Sequence, residues 1–198
     1  MKPDVLGWLS GVQRVASPNH DARPPHTPIN LLVIHNISLP PNEYGGDAIK
    51  RFFTNTLDHS EHSYYEQLEG VRVSSHFLVR RDGQIVQFVP CNKRAWHAGV
   101  SIWRGSTRCN DFSIGIELEG SDFEPFTERQ YIALVRLTRR LKRAYPIRDI
   151  AGHSDIAPER KTDPGPYFDW NDYLQQLGWP VDSISPSPEN SSATQKNI

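Results

Sequence analysis

Leu31-Leu32-Val33-Ile34 runs straight into His35-Asn36, and a second stretch, Ser113-Ile114-Gly115-Ile116-Glu117-Leu118-Glu119, follows far downstream. The first is a short, unbroken apolar run, the pattern of a strand buried in a sheet. The second alternates, with Ile114, Ile116 and Leu118 on one face and Gly115 and Glu117 on the other. Helical and turn signals surround both. Residues 47–57 read as a helix with Ile49, Phe52, Phe53 and Leu57 on its inner stripe. Residues 76–80 and 84–89 flank Arg81-Asp82-Gly83, where Asp-Gly marks a hairpin. Thr127 and Gln130 form a capping box that opens the longest helix, and Pro146 stops it. Tyr131, Leu134, Val135, Leu141 and Tyr145 make its buried stripe. Residues 148–151 read as one more strand, and Asp169 caps a last helix over 170–177, closed by Gly178. Strands interleaved with helices, plus one hairpin, predict an α/β (mixed α+β) fold: a central mixed β-sheet flanked by helices.

The 198 residues suit one domain with extra length. We divide them into an extended N-terminal lead-in packed on the domain (1–29), a catalytic domain (30–178) and a disordered C-terminal tail (179–198). The tail is rich in Ser, Pro and Asn and has too little apolar surface to offset its ordering entropy. Twenty-two Lys and Arg against 23 Asp and Glu leave a formal charge of −1. That balance argues against a general nucleic-acid binder and offers no polybasic patch for a membrane. The one dense basic run, Arg139-Arg140-Leu141-Lys142-Arg143, reads as the solvated C-terminal part of the long helix, where cations complement the dipole. No secretory signal is read at the N-terminus. Cys91 and Cys109 read as ordinary thiols of a reducing compartment, so the expected location is cytoplasmic.

Of eight histidines, His20, His26, His59 and His62 sit in polar stretches and His76 begins a strand. His35 and His153 each follow a buried strand, where side chains open onto the edge of a sheet, and Gly152 lets the backbone turn before His153. Asp163 lies in Lys161-Thr162-Asp163-Pro164-Gly165-Pro166, a loop stiffened by prolines. Two imidazoles and a carboxylate on rigid positions suit a catalytic zinc with its fourth position open. Glu117 shares a strand face with Gly115, whose missing side chain leaves room beside the carboxylate, and is placed to act as a general base. The competing reading is a solvated acidic strand face. Lys161 can set a cation where an oxyanion forms; the competing reading is a surface lysine.

Taken together, Val33-Ile34-His35-Asn36, Trp96-His97-Ala98-Gly99, residues 110–117 (Asn-Asp-Phe-Ser-Ile-Gly-Ile-Glu), Gly152-His153-Ser154-Asp155-Ile156-Ala157-Pro158 and the 161–166 loop resemble the type-2 N-acetylmuramoyl-L-alanine amidases. The motifs occur in the same order over roughly residues 12–177. The resemblance implies the fold shared by these amidases and peptidoglycan-recognition proteins, and one Zn2+ per chain held by His35, His153 and Asp163. It also implies Glu117 as catalytic base and Lys161 as the partner that stabilises the transition state. Asn36, Arg72 and Arg108 match positions lining the family's substrate groove, and Trp96 can offer a sugar-stacking face; surface arginines and a core indole are the plainer alternative. The activity implied is hydrolysis of the amide between (1,6-anhydro-)N-acetylmuramic acid and L-alanine of muropeptides, in cytosolic peptidoglycan recycling. The partner expected is therefore a small anhydromuropeptide, with no nucleic acid, no membrane and a monomeric chain. The alternatives are a secreted or lytic amidase acting on intact wall, and a non-catalytic peptidoglycan-recognition module.

Overall fold

The computed structural model describes Asp4 and residues 7–179. Along the chain run β1 (Gln13–Arg14), β2 (His20–Ala22), β3 (Leu31–Ile37), α1 (Ala48–Phe53) and α2 (Ser63–Glu66). There follow β4 (Phe77–Val79), β5 (Ile85–Gln87), β6 (Lys93–Ala95), β7 (Ile102–Trp103), β8 (Ser106–Thr107) and β9 (Ser113–Glu119). The described residues continue through α3 (Glu128–Ala144), β10 (Asp149–Gly152), α4 (His153–Ile156) and α5 (Trp170–Leu177). Six strands form one mixed sheet in the order β1-β5-β4-β9-β3-β10, in which only the β4–β5 hairpin is antiparallel.

β3 and β9 lie in the middle of this sheet and pair in parallel from Leu31↔Ser113 to Ile37↔Glu119. Strands paired on both sides and covered on both faces can be apolar throughout. Every residue of β9 is accordingly buried, Glu117 and Glu119 included, so the solvated acidic face considered from sequence is not what forms. One face carries Leu32, Ile34, Ile114, Ile116 and Leu118 against Leu134, Leu137 and Leu141 of α3. The other carries Leu31, Val33 and Ala151 against Ala98, Trp103 and Cys109 of the 96–112 segment. Farther along that face, α1 covers Leu78, Val86 and Phe88.

The expected helix over 47–57 is shorter: Asn55 adopts φ 60°, a left-handed conformation that ends a helix. The capping box of α3 forms in both directions, Thr127 Oγ1 accepting from Gln130 N–H and Gln130 Oε1 from Thr127 N–H. α5 is capped by Asp169 and closed by Gly178 in the left-handed region. The basic run on α3 ties neighbouring segments down: Arg139 donates to Gln176 O, Arg140 to Ser10 O, and Lys142 sits 3.4 Å from the Trp179 ring centroid. Trp179, assigned to the tail from sequence, is buried in the core; the rest of that expected disordered tail, 180–198, lies outside the described residues. The lead-in supplies β1 to the sheet edge and β2 to a small ladder with β6. Among the described residues no helix is long and apolar enough to cross a membrane.

Candidate active site

Adjacent parallel strands present equivalent positions side by side, and ligand sites form outside their carboxyl ends. Here β10, β3 and β9 are such neighbours. His35 pairs with Glu117 across β3–β9, and Gly152 pairs with Ile34 across β10–β3, which brings His153 to the row of His35. His153 then opens α4. Gly152 has φ −78°, ordinary extended backbone, so it is not needed to turn the chain as the sequence suggested. Its role is close approach: a Cβ there would lie 2.8 Å from Pro164 Cδ. The Asp163 loop thus packs directly on the end of β10, and Asp163 O accepts from Ser154 N–H.

Three donor atoms converge at this point. His35 Nδ1 lies 3.0 Å from His153 Nδ1 and 2.9 Å from Asp163 Oδ2, and His153 Nδ1 lies 3.1 Å from Asp163 Oδ2. A tetrahedral zinc with bonds of 2.0–2.2 Å spaces its ligand atoms about 3.3 Å apart, so this triangle fits such an ion with little adjustment. The charge states fit as well. Burial lowers the His35 imidazole to about 4, keeping it neutral at physiological pH. Burial works against the Asp163 charge, but the hydrogen bonds with His153 and His35 outweigh it and hold the carboxyl below the usual range. A neutral imidazole and an ionised carboxylate are the forms that bind a metal.

Glu117 is 8% exposed, and its Oε2 is a buried oxygen with no hydrogen-bond partner. Burial, reinforced by the Asp163 charge and opposed by Lys161, raises its carboxyl well above the ordinary range. A buried acid with an unused oxygen beside a cation cradle is the arrangement that proton transfer needs. A cavity of about 410 Å³ joins His35, Asn36, Trp96, Glu117, His153, Lys161 and Asp163. Two expected residues stand outside its lining. Arg72 is exposed, between cavity-lining Val71 and Val73, and Arg108 is exposed in a left-handed conformation, paired with Asp111 at 3.3 Å. The amide of Asn36 is engaged too: Nδ2 donates to Asp122 Oδ1 at 2.6 Å and to Pro164 O at 3.0 Å, tying β3 to the 161–166 loop.

The cavity has walls that sequence reasoning did not find. Tyr64, Leu68, Phe52 and Leu39 line it from α1, α2 and their connections. These residues lie in no motif of their own: from sequence Phe52 reads only as part of a helix's inner stripe, and Tyr64 falls in the Ser63-Tyr64-Tyr65 aromatic pair of a polar stretch. His97 belongs to the Trp96-His97-Ala98-Gly99 motif, but the sequence assigns it no role. It stands directly behind His35, its Nδ1 3.0 Å from His35 Nε2.

Comparison with known proteins bears on this site. Residues 25–166 match the N-acetylmuramoyl-L-alanine amidase family model. The chain is 56% identical over 166 residues to the 1,6-anhydro-N-acetylmuramyl-L-alanine amidase AmpD of Escherichia coli K12, covering 83% of this chain and 91% of that protein. A crystal structure of a selenomethionine AmpD derivative superposes with a TM-score of 0.85 at 52% identity, over 89% of this chain and 99% of that one. The E. coli amidase AmiD, solved with anhydro-N-acetylmuramic acid-L-Ala-D-γ-Glu-L-Lys, superposes with a TM-score of 0.56 at 36% identity, over 78% and 60% of the two chains.

Proposed function

This chain belongs to the N-acetylmuramoyl-L-alanine amidase family, and we propose that it hydrolyses the amide between 1,6-anhydro-N-acetylmuramic acid and L-alanine of small muropeptides, with one zinc ion held by His35, His153 and Asp163. The observation that carries this reading is the unpartnered, buried Oε2 of Glu117 in the same cavity as the three-donor cradle. A recognition module needs the groove alone; a buried acid without a partner is costly unless it has chemistry to do.

His35, His153 and Asp163 would hold the zinc, which would supply Lewis acidity for the scissile carbonyl and for water. Glu117 takes one proton from the attacking water through its free oxygen. Its raised pKa suits it to hold that proton and then deliver it to the departing L-alanine nitrogen. Lys161, half-buried on the cavity wall, sets its ammonium against the oxyanion of the tetrahedral adduct. Water thus supplies the oxygen of the new lactyl carboxylate and a proton of the free amine. Trp96 and Tyr64 offer ring faces to the sugar and peptide along the cavity. Asn36 contributes by fixing the Asp163 loop, and its Oδ1 remains to meet substrate.

We place this activity in cytosolic recycling, performed by a monomer. The likeness to an enzyme named for the anhydro sugar supports the substrate, and two free, buried thiols suit a reducing compartment. The decisive experiment incubates the purified protein in parallel with anhydromuropeptides and with intact sacculi and measures release of free peptide. Faster turnover of anhydromuropeptides is expected. Preference for intact wall overturns the recycling assignment.

A further inference from the structure

Behind the proposed metal centre, one short segment touches both ligand imidazoles, and we propose that residues 97–98 are positioning residues that set which nitrogen each presents: His97 through its ring, Ala98 through its carbonyl. The inference rests on the reading of His35, His153 and Asp163 as the zinc ligands.

The proton inventory is determined by the contacts. His153 Nε2 lies 3.1 Å from Ala98 O. A carbonyl has no proton to give, so Nε2–H donates and the lone pair stays on Nδ1, the atom in the cradle. His35 faces the cradle with Nδ1, and its Nε2 lies 3.0 Å from His97 Nδ1. Holding a cation at Nδ1 requires the lone pair there, so Nε2–H donates to His97 Nδ1. His97 then carries its proton on Nε2, 3.2 Å from Ser113 Oγ, which accepts it. The chain of donors runs outward from the metal through two rings to a buried hydroxyl.

Three further features hold the segment in place. Asn110 Oδ1 accepts from both His97 N–H at 3.1 Å and Ala98 N–H at 2.8 Å. Arg160 Nη2 donates to Ala98 O at 2.8 Å. The third is an absence of atoms: a Cβ on Gly115 would stand 2.5 Å from His97 Cγ. Glycine in a strand interior is destabilising relative to alanine, and Gly115 has no positive φ to justify it. The space it leaves is filled by His97. The sequence reading, that Gly115 makes room for Glu117, therefore names the wrong occupant.

Outer partners of metal-ligating histidines typically contribute 10–100-fold to metal affinity. The test measures zinc dissociation constants of the full chain by competition with a chromophoric chelator. H97L keeps bulk but removes the acceptor; H97N places a carbonyl oxygen where Nδ1 stood. H97L should bind zinc 10–100-fold more weakly, and H97N should recover most of the loss. On the zinc-loaded wild type, 15N-resolved imidazole spectra should find His35 and His153 both protonated at Nε2, a readout that does not depend on any variant folding. Unchanged affinity in H97L, H97N as weak as H97L, or a proton on Nδ1 of either ligand each overturns the proposal. Wild-type protein that binds no zinc overturns the ligand reading itself, and this inference with it.

Discussion

Asn36, at the end of β3, donates through Nδ2 to Asp122 Oδ1 at 2.6 Å, and Asp122 in turn accepts from Thr162, the neighbour of Asp163. Gly165, at φ +84°, passes so close to Asp122 that a Cβ there would meet its Cα at 2.9 Å. Asp122 is therefore the clamp that seats the 161–166 loop. N36D sets two carboxylates face to face and should cost about 1–3 kcal/mol, the usual penalty for an unsatisfied polar group, with lower zinc occupancy. Adding D122N restores a donor–acceptor pair and should recover part of both. Denaturant midpoints and metal analysis of N36D, D122N and the double variant check this; strictly additive losses would mean the two residues are not coupled.

Glu117 and Asp163 should fail in different ways. E117Q keeps the volume of the side chain but cannot accept a proton, so zinc content and folding should survive while kcat falls by about 10²–10⁴. D163N replaces an anionic ligand with a neutral amide, so zinc affinity should fall and excess zinc should restore part of the activity. Metal analysis beside single-turnover kinetics separates the two, and an E117Q protein that has lost its zinc would make Glu117 a ligand.

Removing the metal should affect folding as well as turnover. His35, His153 and Asp163 come from separate segments, so an ion that joins them binds the native chain in preference to the unfolded one. Exhaustive chelation should abolish hydrolysis and lower the Tm, and stoichiometric zinc should restore both. Full activity in protein shown to be metal-free would refute the mechanism.

Arg72 and Arg108, paired in expectation, are separated by their surroundings. R72A removes a cation flanked by cavity-lining Val71 and Val73 and should raise KM with kcat nearly unchanged, by about 1.5–3 kcal/mol if the contact to a substrate carboxylate is direct. R108A breaks only the exposed pair with Asp111 and should leave both constants close to wild type. Steady-state kinetics on a peptide-bearing substrate distinguish them.

A pH effect is expected from His76, which is fully buried. Its Nδ1 accepts from Gly115 N–H at 3.1 Å, and its Nε2 lies 3.0 Å from Arg23 Nη2 and 3.1 Å from Lys93 O. Burial first, then the charges of Arg23 and His20, hold its pKa well below 6.5, and the His97 ring lies against it. The native state thus binds fewer protons than the unfolded one. Its contribution is complete above the unfolded pKa of about 6.5 and declines as pH falls below it, by up to about 1.4 kcal/mol per pH unit. Unfolding free energies measured from pH 7.5 to 5 should fall, and more gently in H76N. Equal slopes would show that His76 already titrates normally in the folded protein.

What could be read from the sequence was what local chemistry decides. The unbroken run at 31–34, the alternation at 113–119, Asp82-Gly83 and the Thr127–Gln130 box each act within a few residues, and each produced its element. The candidate site was legible for a similar reason: His35, His153, Asp163 and Glu117 sit in or beside strands and loops that the local pattern marks, and the fold brings all four to one cavity. Only the tertiary structure decided what stands next to what. That His97 fills the space over Gly115, that Gly152 yields to Pro164, and that Asp122 holds Asn36 against the Asp163 loop are contacts between distant segments, set by the parallel register of β10, β3 and β9. Local pattern carries no record of such distances. A glycine in a strand signals that something approaches closely, but packing alone determines what it is.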